Sequence, residues 1–122
     1  MSLGTAGLSL RLRWAALRLR RGNYDGAQAL YVSVINRAPA EVLLLTALAG
    51  SAEAEFWCGR FLNARYYAGQ YLDRIEANPE LGKGREGLAM VEKMRRYQVA
   101  SGERHLQFGR RAFLEPQLTG QS

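Results

Sequence analysis

The segment Gly22-Asn23-Tyr24-Asp25-Gly26-Ala27-Gln28-Ala29-Leu30-Tyr31, running on to Val34-Ile35-Asn36-Arg37-Ala38-Pro39, constrains the fold more than any other stretch of the chain. It reads as a turn, a helix and a stop. Gly22 has no side chain to clash in the left-handed backbone region, so it suits the end of a preceding helix. Asn23 can cap the helix that follows by accepting from its free amide groups. Ala27, Leu30, Tyr31, Val34 and Ile35 recur at three- and four-residue spacing and so share one helical face. Pro39 stops the helix, because it lacks the amide hydrogen and crowds the preceding turn. The apolar face needs a partner helix, and the residues before Gly22 are placed to supply it.

This unit resembles the second half of a tetratricopeptide repeat. That family sets a small residue in its second helix, an aromatic four residues later and a proline at the close. Ala27, Tyr31 and Pro39 stand at those spacings, and Gly22 and Tyr24 stand where the turn and the helix start belong. A second copy lies 37 residues on, with Gly59, Phe61 and Ala64 in the parts of Gly22, Tyr24 and Ala27. The family period is about 34 residues, so three are extra, and they fit best in the helix around Leu43–Ala52. Ala68 stands where the aromatic would be, with Tyr67 and Tyr71 beside it to fill the space, and Pro79 also arrives three residues late. Another array of helical hairpins is the alternative reading.

The expected fold is all-α. The chain has 122 residues, enough for one domain with a core, and 48% hydrophobic content argues against disorder. Sustained alternation is missing, while Ala, Leu, Arg and Glu favour helix. The resemblance implies a right-handed solenoid of stacked antiparallel hairpins with about six helices. We expect a loose N-terminus over residues 1–7, one helical domain over 8–115 with hairpins at about 8–39, 40–79 and 83–115, and a loose tail over 116–122. Individual helices are expected at about 9–21, 24–38, 41–58, 62–77, 85–100 and 103–114, with Gly82-Lys83-Gly84 as a link and Ser101-Gly102 as a break. In the first helix, Leu10, Trp14 and Leu17 share one side, while Leu12, Ala15, Ala16 and Leu19 share the other. A helix apolar on two sides should pack two partners, as an inner helix of an array does.

Charge is uneven. Of 17 basic residues 15 are arginine; residues 1–24 carry five arginines and no acid, residues 25–82 carry a net −3, and residues 83–111 a net +5. The arginine-rich, acid-free start also has the composition of an organelle transit peptide or an amphipathic membrane-surface helix. The longest uncharged apolar run, Val42 to Ala52, is about half the length of a membrane span. One cysteine permits no internal disulfide, and a cytoplasmic setting is compatible with that.

Chemistry is sparse. Cys58 and His105 are each the single residue of their kind and cannot build a metal site alone, nor does either sit in a nucleophile motif. Gly82-Lys83-Gly84-Arg85 lacks the spacing and the Lys-Ser/Thr pair of a phosphate loop. Glu53 and Glu55, two apart, diverge on a helix and do not suit paired acid–base work. Neither an enzyme nor a cofactor is expected.

The tetratricopeptide resemblance implies instead a concave groove, lined by the first helix of each hairpin, that binds peptides or helices of other proteins. Carried over, its positions are Leu12, Ala16, Leu19 and Arg20 in the first repeat, and Ala49, Glu53, Phe56 and Trp57 in the second. The third repeat would add Glu92, Arg96 and Val99. Phe56 and Trp57 serve as anchors in this reading, and as core between hairpins in the plainer one. The function expected is a non-catalytic interaction module, as adaptor, scaffold, assembly factor or secretion-type chaperone, taking a helical or apolar segment of another protein. Two alternatives stay open. The basic ends could neutralise phosphates, with Tyr97 stacking on a base, in a nucleic-acid-binding protein whose affinity would fall steeply with salt. Uncapped array ends could also make a self-assembling subunit or homo-oligomer.

Overall fold

The computed structural model describes residues 4–118 except Ala38, with side chains from residue 6 to residue 104. It is all-helical among those residues. Helix α1 is Gly4–Arg20, α2 Tyr24–Ile35, α3 Glu41–Trp57, α4 Phe61–Ala77 and α5 Gly84–Leu118, with a 3₁₀ turn at Pro79–Gly82 before α5. Each helix packs on the next, and α1 and α5 both also touch α3. Helix α3 is therefore the spine.

Both hairpin turns are built alike. Gly22 and Gly59 take positive φ, 81° and 84°. At the first, the Gly22 amide donates to the Leu19 carbonyl and the Asn23 amide reaches back to Arg18; at the second, Gly59 donates to Phe56 and Arg60 to Glu55, over 2.9–3.1 Å. These paired bonds satisfy the last carbonyls of α1 and α3 and reverse the chain within three residues. Asn23 Oδ1 then accepts from the Gly26 amide at 3.0 Å, capping α2.

The internal repeat extends through the core. Leu8, Leu12 and Ala15 are buried in α1, and 37 residues on so are Leu45, Ala49 and Ala52 in α3. The buried residues of α2 are Ala27, Tyr31 and Val34; those of α4, again 37 on, are Ala64, Ala68 and Tyr71. One cluster joins α1 and α2 to Ala47 of α3, and a second joins Leu44, Leu45, Leu48, Ala49 and Ala52 of α3 to α4 and α5. The two units fill the space at Tyr31 and its counterpart Ala68 differently. Tyr31 lies across Gly50, where a Cβ would meet its ring at 2.1 Å, whereas at Ala68 the volume comes from Tyr71 and Met94 of the same cluster.

Three expectations change. There are five α-helices, not six, because Ser101 and Gly102 do not break α5. Ser101 is fully buried, and Gly102 lies beside the Arg65 guanidinium of α4. A Ser-Gly pair inside a helix costs only about 1 kcal/mol, which the packing of α5 along α4 offsets. The chain's actual turns at Gly22 and Gly59, and its entry to α5 at Gly84, use glycines at positive φ, which Gly102 is not. Second, α1 starts at Gly4, within the stretch expected to be loose, and α5 runs through residues 116–118; residues 1–3 and 119–122 lie outside the described residues. Third, α1 buries one of its two apolar sides, leaving Leu10 and Trp14 more than half exposed; α3, buried nearly all round, is the inner helix. No helix among the described residues is long and apolar enough to cross a membrane.

Candidate partner-binding groove

Helices α1, α3 and α5 enclose a groove of about 470 Å³. Ala16 and Leu19 come from α1, Val42, Leu45, Thr46, Ala49, Gly50 and Glu53 from α3, and Leu81, Glu86, Gly87 and Met90 from the 3₁₀ turn and α5. Tyr31 and Tyr71 reach its floor from α2 and α4. Ala16 and Ala49 present small side chains to it, the Tyr31 ring lies over Gly50, and Gly87 packs on the Gly82 backbone, which a Cβ there would meet at 2.7 Å.

The expected site residues divide. Ala16, Leu19, Ala49 and Glu53 line this groove together. Leu12 lies beneath it in the α1–α2 core. Arg20 is exposed at the last turn of α1. Phe56, 8% exposed, belongs to an aromatic cluster between α3, α4 and α5, with ring centroids of Trp57, Phe61 and Tyr97 at 5.2, 5.6 and 4.9 Å. The Arg104 guanidinium covers its face at 5.3 Å. Trp57 is 56% exposed and donates its indole N–H to Tyr97 Oη at 3.2 Å. Beyond Glu53, then, the α3–α5 seam is shut by that bond and by a Lys93–Glu53 ion pair at 2.8 Å.

Arg96 stands elsewhere. With Glu92, Arg95, Val99, Ala100 and Glu103 it lines a shallow depression on α5 alone. The α5 residues that face α3 are Glu86, Met90, Lys93 and Tyr97, one position removed from the 92–96–99 set. A single residue turns a helical side chain by about 100°, so the small offset exchanges groove for outer surface. No spacing in the sequence announces that register.

Polar chemistry gathers away from the groove, at the second hairpin turn. Glu55 is buried, its carboxylate accepting from Arg60 Nε at 2.6 Å and Asn63 Nδ2 at 2.7 Å. Arg60 also donates to Asp25 Oδ1 of α2 at 2.7 Å, tying the two hairpins together. These bonds, Asp25 first and Glu55 second, raise the Arg60 pKa beyond its ordinary range. Cys58 sits beside Asp25 at 3.8 Å. Its thiol is pushed up by burial, Arg60 opposing and Asp25 and Glu55 assisting, so at neutral pH it is a protonated, weak nucleophile. The side chain of His105 lies outside the described ones. Among the described residues no three His, Cys, Asp or Glu side chains converge to hold a metal ion.

Reading the sequence did not find the Glu55–Arg60–Asn63 cluster. An arginine directly after a turn glycine, five residues past a glutamate, is its only trace. Comparison with known proteins adds no identity: no family model matches the chain, and neither curated proteins nor solved structures yield a match.

Proposed function

We propose that this chain is a non-catalytic protein–protein interaction module, a tetratricopeptide-like solenoid whose α1–α3–α5 groove receives a helical or apolar segment of another protein. The observation that carries the reading is the groove itself: a concave, mostly apolar surface assembled from three non-consecutive helices, with carboxylates at Glu53 and Glu86 along it. Apolar anchoring with a few charges for orientation is how amphipathic helices are held in grooves. The small side chains of Ala16 and Ala49 leave room for a partner segment to approach. The 37-residue repeat of turn and core supports the solenoid reading, since stacked hairpins place alternate helices on one face.

The test is a pull-down from the source lysate, comparing the native chain with Val42→Lys/Glu86→Arg. Both residues are exposed, so the fold should persist, and circular dichroism checks that. A protein retained in high salt by the native chain and lost by the variant supports the groove. Equal capture by both rejects it. Recovery of nucleic acid that leaves in high salt favours the phosphate-binding alternative instead.

A further inference from the structure

The outer side of α1 has no partner among the described residues. Leu10 and Trp14 are 55% and 53% exposed there, with Leu17 half-buried beside them. At 3.6 residues per turn, Leu10, Trp14 and Leu17 form one apolar stripe along the helix, and Arg21 follows just past its end. Arg11 and Arg18 edge it on one side, Arg13 and Arg20 on the other. Arg11 donates to the Ser33 hydroxyl at 3.2 Å, while Arg13, Arg18, Arg20 and Arg21 are exposed and have no acidic partner among the described residues. The first acid of the chain is Asp25, already engaged by Arg60 at 2.7 Å.

We propose that this face binds an anionic lipid surface, with Leu10 and Trp14 seated at the headgroup boundary and the arginines on acidic headgroups. The charge complement must be anionic, because four exposed guanidinium groups face outward without an opposing carboxylate. The arrangement selects lipid over nucleic acid. Polyphosphate recognition would put arginines at the centre of the face, whereas here an apolar stripe holds the centre and the arginines flank it, the layout of a helix lying in a membrane interface. The stripe is also opposite Leu8, Leu12 and Ala15, so α1 remains packed while it binds. Ala16 and Leu19 open into the groove away from the stripe, which leaves the two surfaces able to act together.

The experiment is co-sedimentation of the full chain with vesicles of phosphatidylcholine alone and of phosphatidylcholine with phosphatidylglycerol. Trp14 emission is followed in a Trp57→Phe background. Each arginine near an anionic surface is worth about fivefold in partition. The expected result is binding to the anionic vesicles only, with a blue shift of Trp14. Arg13→Gln/Arg18→Gln/Arg21→Gln and Trp14→Ala should each weaken it at least tenfold at unchanged helicity. Three results would overturn the proposal: no binding to anionic vesicles, binding indifferent to Trp14→Ala, or single-stranded RNA captured independently of Trp14 in place of vesicles. A Trp14-dependent dimer in sedimentation, without vesicle binding, would also overturn it by giving the face to a second copy.

Discussion

Gly50 of α3 lies against the Tyr31 ring of α2, and each has a measurable consequence. A methyl at Gly50 would meet the Tyr31 ring, and Tyr31 is buried, so the ring has little room to yield. Gly50→Ala should destabilise the fold by about 1–3 kcal/mol, read from urea unfolding, despite its better helix propensity. Burial first and Glu53 second push the Tyr31 hydroxyl up to about 12. A group whose pKa is higher in the fold than in the open chain stabilises the fold below the open-chain value. That contribution disappears as pH rises from about 10 towards 12. Stability should therefore fall over this range, and Tyr31→Phe should flatten part of the fall. At the turn, Arg60→Ala strips a buried carboxylate of one of its donors and should cost about 2–4 kcal/mol. Asp25→Ala, which removes only the exposed half of the same network, should cost under about 1 kcal/mol. The sequence makes Ala27 and Tyr31 legible as core because their spacing is helical. It does not say which of two adjacent aromatics faces inward, and the structure puts Phe56 in and Trp57 out.

At the scale of the element, α5 tests what ends a helix. Gly102 lies inside it, and an added methyl would come no nearer than 3.9 Å to Arg65. Gly102→Ala should raise stability by about 0.5–1 kcal/mol in thermal or urea unfolding, as expected of a helix interior. A loss instead would mean that a true turn sits there. Helix boundaries up to residue 77 were legible to within a few residues, apart from the start of α1, because glycine turns, Asn23 and the two prolines before and after the second hairpin are strong local signals. Beyond Pro79 such signals weaken, and the packing of small residues in α4 against α5 decides continuity. The groove face of α5 is not legible for a related reason, since an offset of one residue turns a helical side chain by about 100°.

For the molecule as a whole, the all-helical class followed from periodicity and composition, and the 37-residue repeat from two matching turns. Four of the eleven expected groove residues, Ala16, Leu19, Ala49 and Glu53, open on one groove. Leu12 and Phe56 lie beneath the surface, because a periodicity argument finds apolar faces without distinguishing a face between helices from one across them. The first helix carries a side that nothing among the described residues covers, which composition hinted at through its unopposed arginines. The stacking order has a kinetic corollary. Every helix touches its neighbour in sequence, and the main longer-range pairs among the described residues are α1–α3 and α3–α5, so closing each contact spans short loops. Search times should be short, with refolding within milliseconds of dilution from urea in stopped-flow fluorescence. Either hairpin can start the process, but α3 must join both clusters, and the rate-limiting ensemble should be most sensitive to substitutions at Leu45, Leu48 and Ala52.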